Sequence, residues 1–338
     1  MNVSIIDWYP AFDLNEEMLK DIIERGLEVK LSVIDDHANA DIIVVGPYGQ
    51  THKINPHYIN SRAWKLYVTG ENSVPDFRFV HHSLSFIRHG FNHRNFRLPL
   101  WWLHLSYSGL RESTSFDLEE STEFLNTNLP LRKYTKNVTT RAPEVIAVFN
   151  HPDPMRLWTC QVLNQCIPVV KYGQCFGNGF EWGDFGYKKK INLVSNYRFN
   201  YCPENSLHDG YFTEKILHAR LAGCIPIVYA DKYVSLDFNP KGLINIYDYD
   251  SLEQAADFIR ELSSDATRMS HIISQPVCTQ LPNIDSLVQF VQQSYADYTN
   301  RSILSCTDIV EQVSHAAYPT KYQRMRSRLV TTLKRLKL

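Results

Sequence analysis

Two carboxylates, an arginine and a lysine lie where chemistry on a phosphorylated or hydroxylated ligand is expected. Glu214 and Lys215 follow Thr213 at the start of a helical pattern, Arg156 lies at the start of another, and Glu71 follows a short apolar segment. A helix N-terminus attracts phosphate because its N–H groups are unpaired, and an arginine fork can grip a diphosphate. A carboxylate can accept hydrogen bonds from sugar hydroxyls or take a proton from one.

Each of these residues also has an ordinary structural interpretation. Glu214 could complement the helix dipole, and Lys215 could be a solvated surface charge. Arg156 could be an exposed salt-bridge partner, and Glu71 could be a turn or cap residue. Composition and spacing alone leave both interpretations open.

The stretch 197–229 has to position Glu214 and Lys215. Alternation over 198–202 predicts a strand, the helical pattern that begins at Thr213 should end at Gly223, and the apolar run at 225–229 predicts a second strand. In open α/β folds, a strand–loop–helix–strand unit binds ligands at the junction of loop and helix.

The first half of the chain predicts a similar alternation. Residues 3–6 and 42–45 resemble buried parallel strands around a helix at about 15–25, with Gly26 placed to end that helix. This order indicates a Rossmann-like first domain. No glycine-rich dinucleotide fingerprint follows the first strand, so we do not expect a dinucleotide there.

The next strand, predicted at 64–68, places Glu71 at its carboxyl end. Residues 96–105, FRLPLWWLHL, have the apolar spacing of a packed helix, so we expect core packing, with stacking on an acceptor sugar as the alternative. His81 and His82 are neighbours whose side chains point in different directions, which does not favour a metal site.

A second domain is predicted to begin after the boundary at 142–143. Residues 145–149 read as its first buried strand, and Arg156 opens the following helix. Residues 172–187 contain five glycines and several aromatic residues, and could either close over a substrate or form an irregular surface loop. We interpret the three lysines at 188–190 as a solvated charge run.

Charge is distributed unevenly along the 338 residues. The formal net charge is −1, which gives no general reason to expect a nucleic-acid partner. The last 18 residues hold seven basic residues and no acid, so removing them from the total of −1 leaves −8. Leucines and basic residues in this tail recur at the spacing of a basic amphipathic helix on an anionic membrane surface. The alternative is an end helix packed on its own protein.

The seven cysteines are scattered and form no CxxC pair, which indicates neither a zinc knuckle nor a dithiol site and fits a reducing compartment. No run of 18 apolar residues occurs. We therefore expect a cytoplasmic protein, with the option of peripheral attachment to the cytoplasmic face of the inner membrane.

Residues 199–216, FNYCPENSLHDGYFTEKI, strongly resemble the signature of glycosyltransferase family 10, the α1,3/4-fucosyltransferases that use GDP-fucose. The segment 69–77, TGENSVPDF, resembles the family segment that carries its proposed catalytic base, and Arg156 falls on the family's loop arginine. Pro203 departs from the pattern, because the family usually has an aromatic residue there. The chain most resembles bacterial-type members.

The resemblance implies an α/β fold of the GT-B class, with two Rossmann-like domains facing a cleft. We expect an acceptor-binding domain at 1–142, a GDP-sugar-binding domain at 143–300 whose last helix could cross back, and a basic amphipathic tail at 301–338. Glu71 is implied as the catalytic base, and Glu214 as the residue that holds the ribose. The residues implied in donor binding are Arg156, Asn205, Tyr211, Thr213, Glu214 and Lys215.

The implied activity is inverting transfer of L-fucose from GDP-fucose to a GlcNAc- or N-acetyllactosamine-type acceptor, in α1,3 or α1,4 linkage, on a surface glycan such as lipopolysaccharide O-antigen. No essential metal or cofactor is implied, and stimulation by Mn²⁺ stays open. The expected partners are GDP-fucose, an oligosaccharide or glycolipid acceptor, and an anionic membrane surface. The alternatives are another GDP-sugar or acceptor, or a catalytically silent glycan-binding protein.

Overall fold

The structure of the protein is a computed structural model. It describes residues 1–9, 12–105, 118–134, 138–179, 186–206 and 208–300. These residues form two compact units, the first from 1–105 with 282–300 and the second from the described residues between 118 and 281. The predicted tail at 301–338 and residues 180–185 of the glycine-rich loop lie outside the described residues.

Strands and helices alternate along both units. The strands are β1 (Asn2–Ile6), β2 (Ser32–Val33), β3 (Ile42–Val45), β4 (Trp64–Val68), β5 (His82–Ser85), β6 (Asn95–Arg97), β7 (Ala142–Val148), β8 (Val169–Tyr172), β9 (Tyr197–Tyr201), β10 (Ile225–Val228) and β11 (Ile244–Asn245). The helices are α1 (Met18–Leu27), α2 (Thr51–Ile54), α3 (Pro56–Ile59), α4 (Leu118–Thr127), α5 (Pro154–Cys166), α6 (Gly186–Val194), α7 (Glu214–Leu221), α8 (Leu252–Ser263), α9 (Ala266–Ile273) and α10 (Ile284–Thr299).

The first unit is built on a parallel sheet. Among the described residues the sheet has six strands in the order β2-β1-β3-β4-β5-β6. The strands predicted at 3–6, 42–45 and 64–68 are confirmed as β1, β3 and β4. Every residue of β3 and β4 is buried, as expected for parallel strands that are covered on both faces. The carboxyl ends of β1, β3 and β4 therefore lie side by side at one edge.

Helix α1 was predicted at about 15–25 with Gly26 as its stop; the helix is confirmed with shifted bounds, but the stop is wrong. The helix begins at Met18 and includes Gly26, and it ends where Glu28 adopts a left-handed conformation with φ 55°. Gly26 instead allows a close approach between helices. A Cβ at this position would lie 2.8 Å from Cγ1 of Val291 on α10. A glycine that permits such packing looks the same in sequence as one that ends a helix.

Helix α10 covers one face of the first sheet. The ring of Tyr295 meets that of Trp64 at 5.5 Å between centroids, and Phe290 lies 5.5 Å from Phe96. Both pairs are within the distance at which aromatic rings attract one another beyond the burial of their area. α10 thus belongs to the first unit although it follows the whole second unit in the chain.

Residues 96–105 pack in the core but do not form the predicted α-helix. The segment completes β6, passes through Pro99, and forms a 3-10 helix at Leu100–His104. Proline lacks a backbone N–H and disfavours helical conformation in the residue before it, so a helix cannot extend back through this point. Trp101 is fully buried, which confirms the core-packing interpretation.

The second unit has a parallel sheet in the order β11-β10-β9-β7-β8 within the described residues. The predicted strand–loop–helix–strand stretch is confirmed as β9, α7 and β10, with Ile225 opposite Phe199. Gly223 follows α7 with φ 72°, so it ends this helix as predicted. Buried apolar residues of β7, β9 and β10 pack against α5 and α8 to form the core.

None of the helices in the described ranges is long and apolar enough to cross a membrane. The six cysteines in these ranges are free thiols, and four of them are buried, as expected of small apolar residues. The two parallel sheets with alternating helices confirm the α/β class and the two Rossmann-like units that the sequence predicted.

Candidate active site

A cavity of about 130 Å³ opens at the carboxyl end of the second sheet. It is lined by Asp153, Met155, Arg156, Thr159, Tyr201, Pro203, Glu204, Asn205, Ser206 and Tyr229. Loops at this edge of a parallel sheet are the usual place for a ligand. The sequence predicted two of these lining residues, Arg156 and Asn205, as donor-binding side chains.

Arg156 lies in the first turn of α5, which begins at Pro154 rather than at Arg156 itself and is capped by Asp153. Its Nη1 donates to the His151 carbonyl at 3.0 Å, and its Nη2 donates to Oδ1 of Asn205 at 2.7 Å. Arg156 is only 4% exposed, which excludes the interpretation as an exposed salt-bridge partner. Its Nε is buried and has no hydrogen-bond partner among the described residues, and its two Nη atoms hold the guanidinium at the wall of the cavity.

The start of α7 is organised by Glu204, which the sequence reasoning did not select. The Glu204 carboxylate accepts the Thr213 backbone N–H at 2.8 Å, the Thr213 hydroxyl at 2.9 Å, and Nζ of Lys215 at 2.8 Å. Thr213 is the N-cap residue of α7, but its own side chain makes no cap hydrogen bond. Glu204 therefore caps this helix from outside it, and it links the helix start to the cavity that it also lines.

Lys215 is a buried charge rather than a solvated one, so the surface interpretation is wrong. Its side chain is 16% exposed, and its ammonium also donates to the Thr213 hydroxyl at 2.7 Å. Burial disfavours the charged form, but the carboxylates of Glu204 and Glu214 outweigh it and raise the pKa of Lys215 above its ordinary value. Lys215 is therefore a permanent cation at this helix start at neutral pH.

Glu214 is also largely buried, and it faces a lysine that the sequence reasoning placed in solvent. Nζ of Lys190 lies 3.8 Å from Oε1 of Glu214, and the two side chains are 7% and 12% exposed. Burial lowers the pKa of Lys190, and the charge of Glu214 opposes part of that shift. The prediction of a solvated run at 188–190 is wrong for Lys190, although Lys189 is exposed. Lys190, Ile191 and Val194 form the buried face of α6, and this helical spacing was the available signal.

Tyr211 is placed differently from the other predicted donor residues. It is 3% exposed, and its backbone N–H donates to the His208 carbonyl at 2.9 Å in the turn before α7. It is not among the described residues that line the cavity. The structure thus brings Arg156 and Asn205 into direct contact, and it brings Thr213 and Lys215 into contact with each other and with Glu204.

Glu71 follows β4 at the carboxyl edge of the first sheet. Its backbone N–H donates to the Thr69 hydroxyl at 3.0 Å, so the turn is held by main-chain and hydroxyl groups. Its carboxylate instead accepts the hydroxyl of Tyr48 at 3.0 Å, from the loop after β3. The side chain of Glu71 is therefore directed away from its own turn, unlike the turn or cap residue of the alternative interpretation.

His81 and His82 have structural hydrogen bonds. Nδ1 of His81 accepts the Lys65 backbone N–H at 2.9 Å, and Nδ1 of His82 accepts the Trp64 indole N–H at 3.0 Å. Burial lowers the pKa of His81 to about 4 and that of His82 to about 3, so both rings are neutral at pH 7. No group of three or more His, Cys, Asp or Glu side chains suited to a metal ion occurs within the described residues.

Two family models match the chain. Residues 139–273 match "Glycosyltransferase family 10 (fucosyltransferase) C-term", and residues 3–104 match "Alpha-(1,3)-fucosyltransferase FucT N-terminal domain". The two matches cover the described cores of both units. The chain belongs to glycosyltransferase family 10.

Among curated proteins, the chain is similar to alpha-(1,3)-fucosyltransferase FucT of Helicobacter pylori, with 28% identity over 78% of this chain and 57% of the relative. It is also similar to human 4-galactosyl-N-acetylglucosaminide 3-alpha-L-fucosyltransferase 9, with 30% identity over 33% of this chain and 30% of the relative. The chain thus spans little more than half of the first relative and less than a third of the second.

Solved structures share the fold. A crystal structure of an α1,3-fucosyltransferase matches with a TM-score of 0.67 and 20% identity, covering 88% of this chain and 90% of that one. The structure of an α1,3-fucosyltransferase with GDP-fucose matches with a TM-score of 0.65 and 21% identity, covering 87% and 89%. The fold is therefore that of the GT-B fucosyltransferases.

Proposed function

We propose that this chain transfers L-fucose from GDP-fucose to a hydroxyl of a GlcNAc- or N-acetyllactosamine-type acceptor, in α1,3 or α1,4 linkage and with inversion at the anomeric carbon. The observation that carries the proposal is the cavity of the second unit, where the buried fork of Arg156 meets Asn205 beside the Glu204-capped start of α7. The family relationship, and the GDP-fucose bound in a solved structure of the same fold, support GDP-fucose as the donor.

The donor half of the reaction depends on charge stabilisation. The bond from fucose to GDP breaks, and the leaving diphosphate gains negative charge in the transition state. Arg156 and Lys215 are fixed cations with little exposure, so their attraction for this charge is weakly screened. The partial positive charge at the start of α7 adds to it. In this proposal Glu214 binds the ribose hydroxyls, Asn205 lines the donor pocket, and Tyr211 acts from outside the cavity lining by holding the turn before α7.

The acceptor half of the reaction needs a base. Glu71 takes the proton from the acceptor hydroxyl as its oxygen bonds to the anomeric carbon of fucose. A single displacement of this kind inverts the anomeric configuration. The position of Glu71 at the carboxyl edge of the first sheet, with its carboxylate directed out of its own turn, supports this role.

One arginine, Arg156, and one lysine, Lys215, supply the positive charge in this mechanism, so we propose that no metal ion is essential for transfer. Mn²⁺ from solution that binds the diphosphate, without a site on the protein, can still raise the rate. Activity that persists in EDTA is the expected result, and complete loss in EDTA with recovery on added Mn²⁺ contradicts it.

We further propose that the natural acceptor is a surface glycan such as lipopolysaccharide O-antigen, and that the basic tail at 301–338 attaches the chain to the anionic cytoplasmic face of the inner membrane. This tail lies outside the described residues, and its sequence pattern supports the idea. Flotation with anionic vesicles should be lost in a variant that ends at Tyr318. Flotation that survives the truncation refutes membrane attachment by the tail.

The main experiment compares GDP-fucose, GDP-mannose and UDP-sugars as donors for the purified chain, with lactose and N-acetyllactosamine as acceptors. We expect turnover of GDP-fucose alone. The variant Glu71→Gln should lose transfer by about 10²–10⁴-fold and still bind GDP-fucose, because a positioned base contributes about that much. The exposed Glu28→Gln on the same unit is the matched control.

Other outcomes separate the alternatives. Turnover of a different GDP-sugar keeps the fold and replaces the fucosyl assignment. Unchanged turnover in Glu71→Gln refutes its role as base. Absence of turnover and of GDP binding with every donor favours a catalytically silent glycan-binding protein.

A further inference from the structure

Two tyrosines at the edge of the first sheet are exposed in a way that the other described tyrosines and tryptophans are not. Tyr48 is 54% and Tyr9 43% exposed, whereas the other described tyrosine and tryptophan side chains are buried or half-buried. Exposing large aromatic rings is unfavourable in water, and such rings at a sheet edge commonly mark a binding surface. Tyr9 follows β1, and Tyr48 follows β3, the neighbouring strand.

The two rings form a corner. Their centroids are 6.0 Å apart, and their planes meet at 77°. Phe12 supports Tyr9 from within the unit, at 5.6 Å between ring centroids. Because the rings contact each other edge to face, they leave ring surface uncovered to both sides of the corner. One ligand can therefore contact both rings at once, one ring below it and the other at its side.

The loop that carries Tyr48 is anchored to the end of β1 by Asp7. The Tyr48 backbone N–H donates to the Asp7 carbonyl at 2.8 Å. The Asp7 carboxylate accepts the backbone N–H groups of Thr51 and His52 at 2.9 and 3.0 Å. Gly49 fits because a Cβ there would lie 2.0 Å from Oδ1 of Asp7. The corner is therefore preorganised, which reduces the entropy lost when a ligand binds.

The polar end of the corner is the candidate base. The Tyr48 hydroxyl donates to Oε1 of Glu71 at 3.0 Å, so a ring that stacks on Tyr48 has its edge close to this carboxylate. A pyranose ring fits both features, because its C–H face is apolar and its edge carries hydroxyls. Carboxylates have about four lone-pair sites, so accepting from Tyr48 does not use up the hydrogen-bonding capacity of Glu71.

We propose that Tyr9 and Tyr48 form the acceptor-sugar subsite, in which a pyranose of a neutral oligosaccharide stacks on the corner and presents a hydroxyl to Glu71. The inference rests on the proposed function, since it takes Glu71 as the base. Tyr48 has two separable roles in it. Its ring binds the sugar, and its hydroxyl positions the carboxylate of Glu71.

The test uses Tyr9→Leu and Tyr48→Leu, which remove the rings, Tyr48→Phe, which removes only the hydroxyl, and the exposed Ile54→Ala as a control on the same unit. Each leucine variant should raise the KM for N-acetyllactosamine about five- to tenfold, the order expected for losing one ring contact, and leave the Kd for GDP unchanged. Tyr48→Phe should keep the acceptor KM within about twofold. It should lower kcat instead, because the Glu71 carboxylate loses the hydrogen bond that positions it, and this split between KM and kcat separates the role of the hydroxyl from that of the ring.

A second measurement separates this inference from the proposed activity. Ligand-observed NMR of N-acetyllactosamine with the full chain should show saturation transfer that the double variant Tyr9→Leu/Tyr48→Leu loses. If the chain turns over no donor and the double variant still loses saturation transfer, the subsite is supported and the fucosyltransferase proposal is refuted. The subsite is refuted if the leucine variants keep the wild-type acceptor KM and saturation transfer. It is also refuted if a leucine variant weakens GDP binding as strongly as acceptor binding.

Discussion

The substitution Glu204→Gln gives a direct test of how the start of α7 is held. Glutamine keeps the volume of the side chain and one carbonyl acceptor for the Thr213 N–H, but it removes the charge that faces Lys215 at 2.8 Å. The Lys215 side chain is only 16% exposed, so its ammonium stays poorly solvated when the charge of Glu204 is removed. Breaking a buried ion pair on one side costs about 3–5 kcal/mol, and the retained acceptor reduces this to about 2–3 kcal/mol.

Hydrogen–deuterium exchange measures this loss locally. Peptides that span 209–221 should exchange about 30- to 150-fold faster in Glu204→Gln, the factor that corresponds to about 2–3 kcal/mol of opening free energy. The matched control is Glu253→Gln, which removes an exposed acid from the first turn of α8. It should change the free energy of opening of that helix by only about 0.3–1 kcal/mol.

The pH dependence of the same experiment has a defined sign. The pKa of Lys215 is raised in the folded chain, so the stability that the pair contributes is fully present below the unfolded lysine pKa of about 10.4 and is lost as pH rises through the folded pKa. The difference between wild type and Glu204→Gln should therefore be constant from about pH 6 to 9. Equal effects of Glu204→Gln and Glu253→Gln would show that the buried pair does not hold this helix start.

Two further predictions concern buried titratable groups. Lys190→Met should weaken GDP binding about tenfold in calorimetry, because Glu214 loses the cation 3.8 Å away, whereas the exposed Lys189→Met should bind as wild type. Indistinguishable variants would rule out a positioning role for Lys190. His81 and His82 have a pKa of about 4 and about 3 in the fold against about 6.5 unfolded, so the unfolded chain binds more protons in that window and the melting temperature should fall as pH drops from about 6.5 to 4. His82→Gln, which keeps an acceptor for the buried indole N–H, should flatten this dependence, and an unchanged slope contradicts the assignment.

Local sequence signals were sufficient for most of the fold. β1, β3, β4, β9, α7 and β10 were predicted because their apolar periodicity, turn residues and the stop at Gly223 all indicate the same elements. Gly26 was misread because a glycine that permits helix packing and one that ends a helix share the same local sequence. Which role it has depends on Val291, more than 260 positions away in the chain.

The site was predicted less completely than the fold, for a related reason. Arg156, Thr213 and Lys215 could be selected as candidates because helix starts can be recognised from nearby residues. The hydrogen bonds of Glu204 reach residues beyond a loop, so nothing in its immediate neighbours separates it from a solvated acid. Lys190 was hidden by two lysines beside it, since composition gives the charge of a run but not which residue of a helix turn faces inward.

The position of α10 has a consequence for the order in which the chain can fold. The first sheet and α1 are complete by residue 105, yet the helix that covers Trp64 and Phe96 and packs on Gly26 is formed by residues 284–299. During synthesis the second unit emerges in full before this helix exists. The aromatic face of the first sheet therefore stays open to water and to chaperones until late in translation, whereas the second unit can close its core as soon as it leaves the ribosome. A nascent chain stopped before residue 284 should consequently hold a folded C-terminal unit and an unfinished N-terminal one.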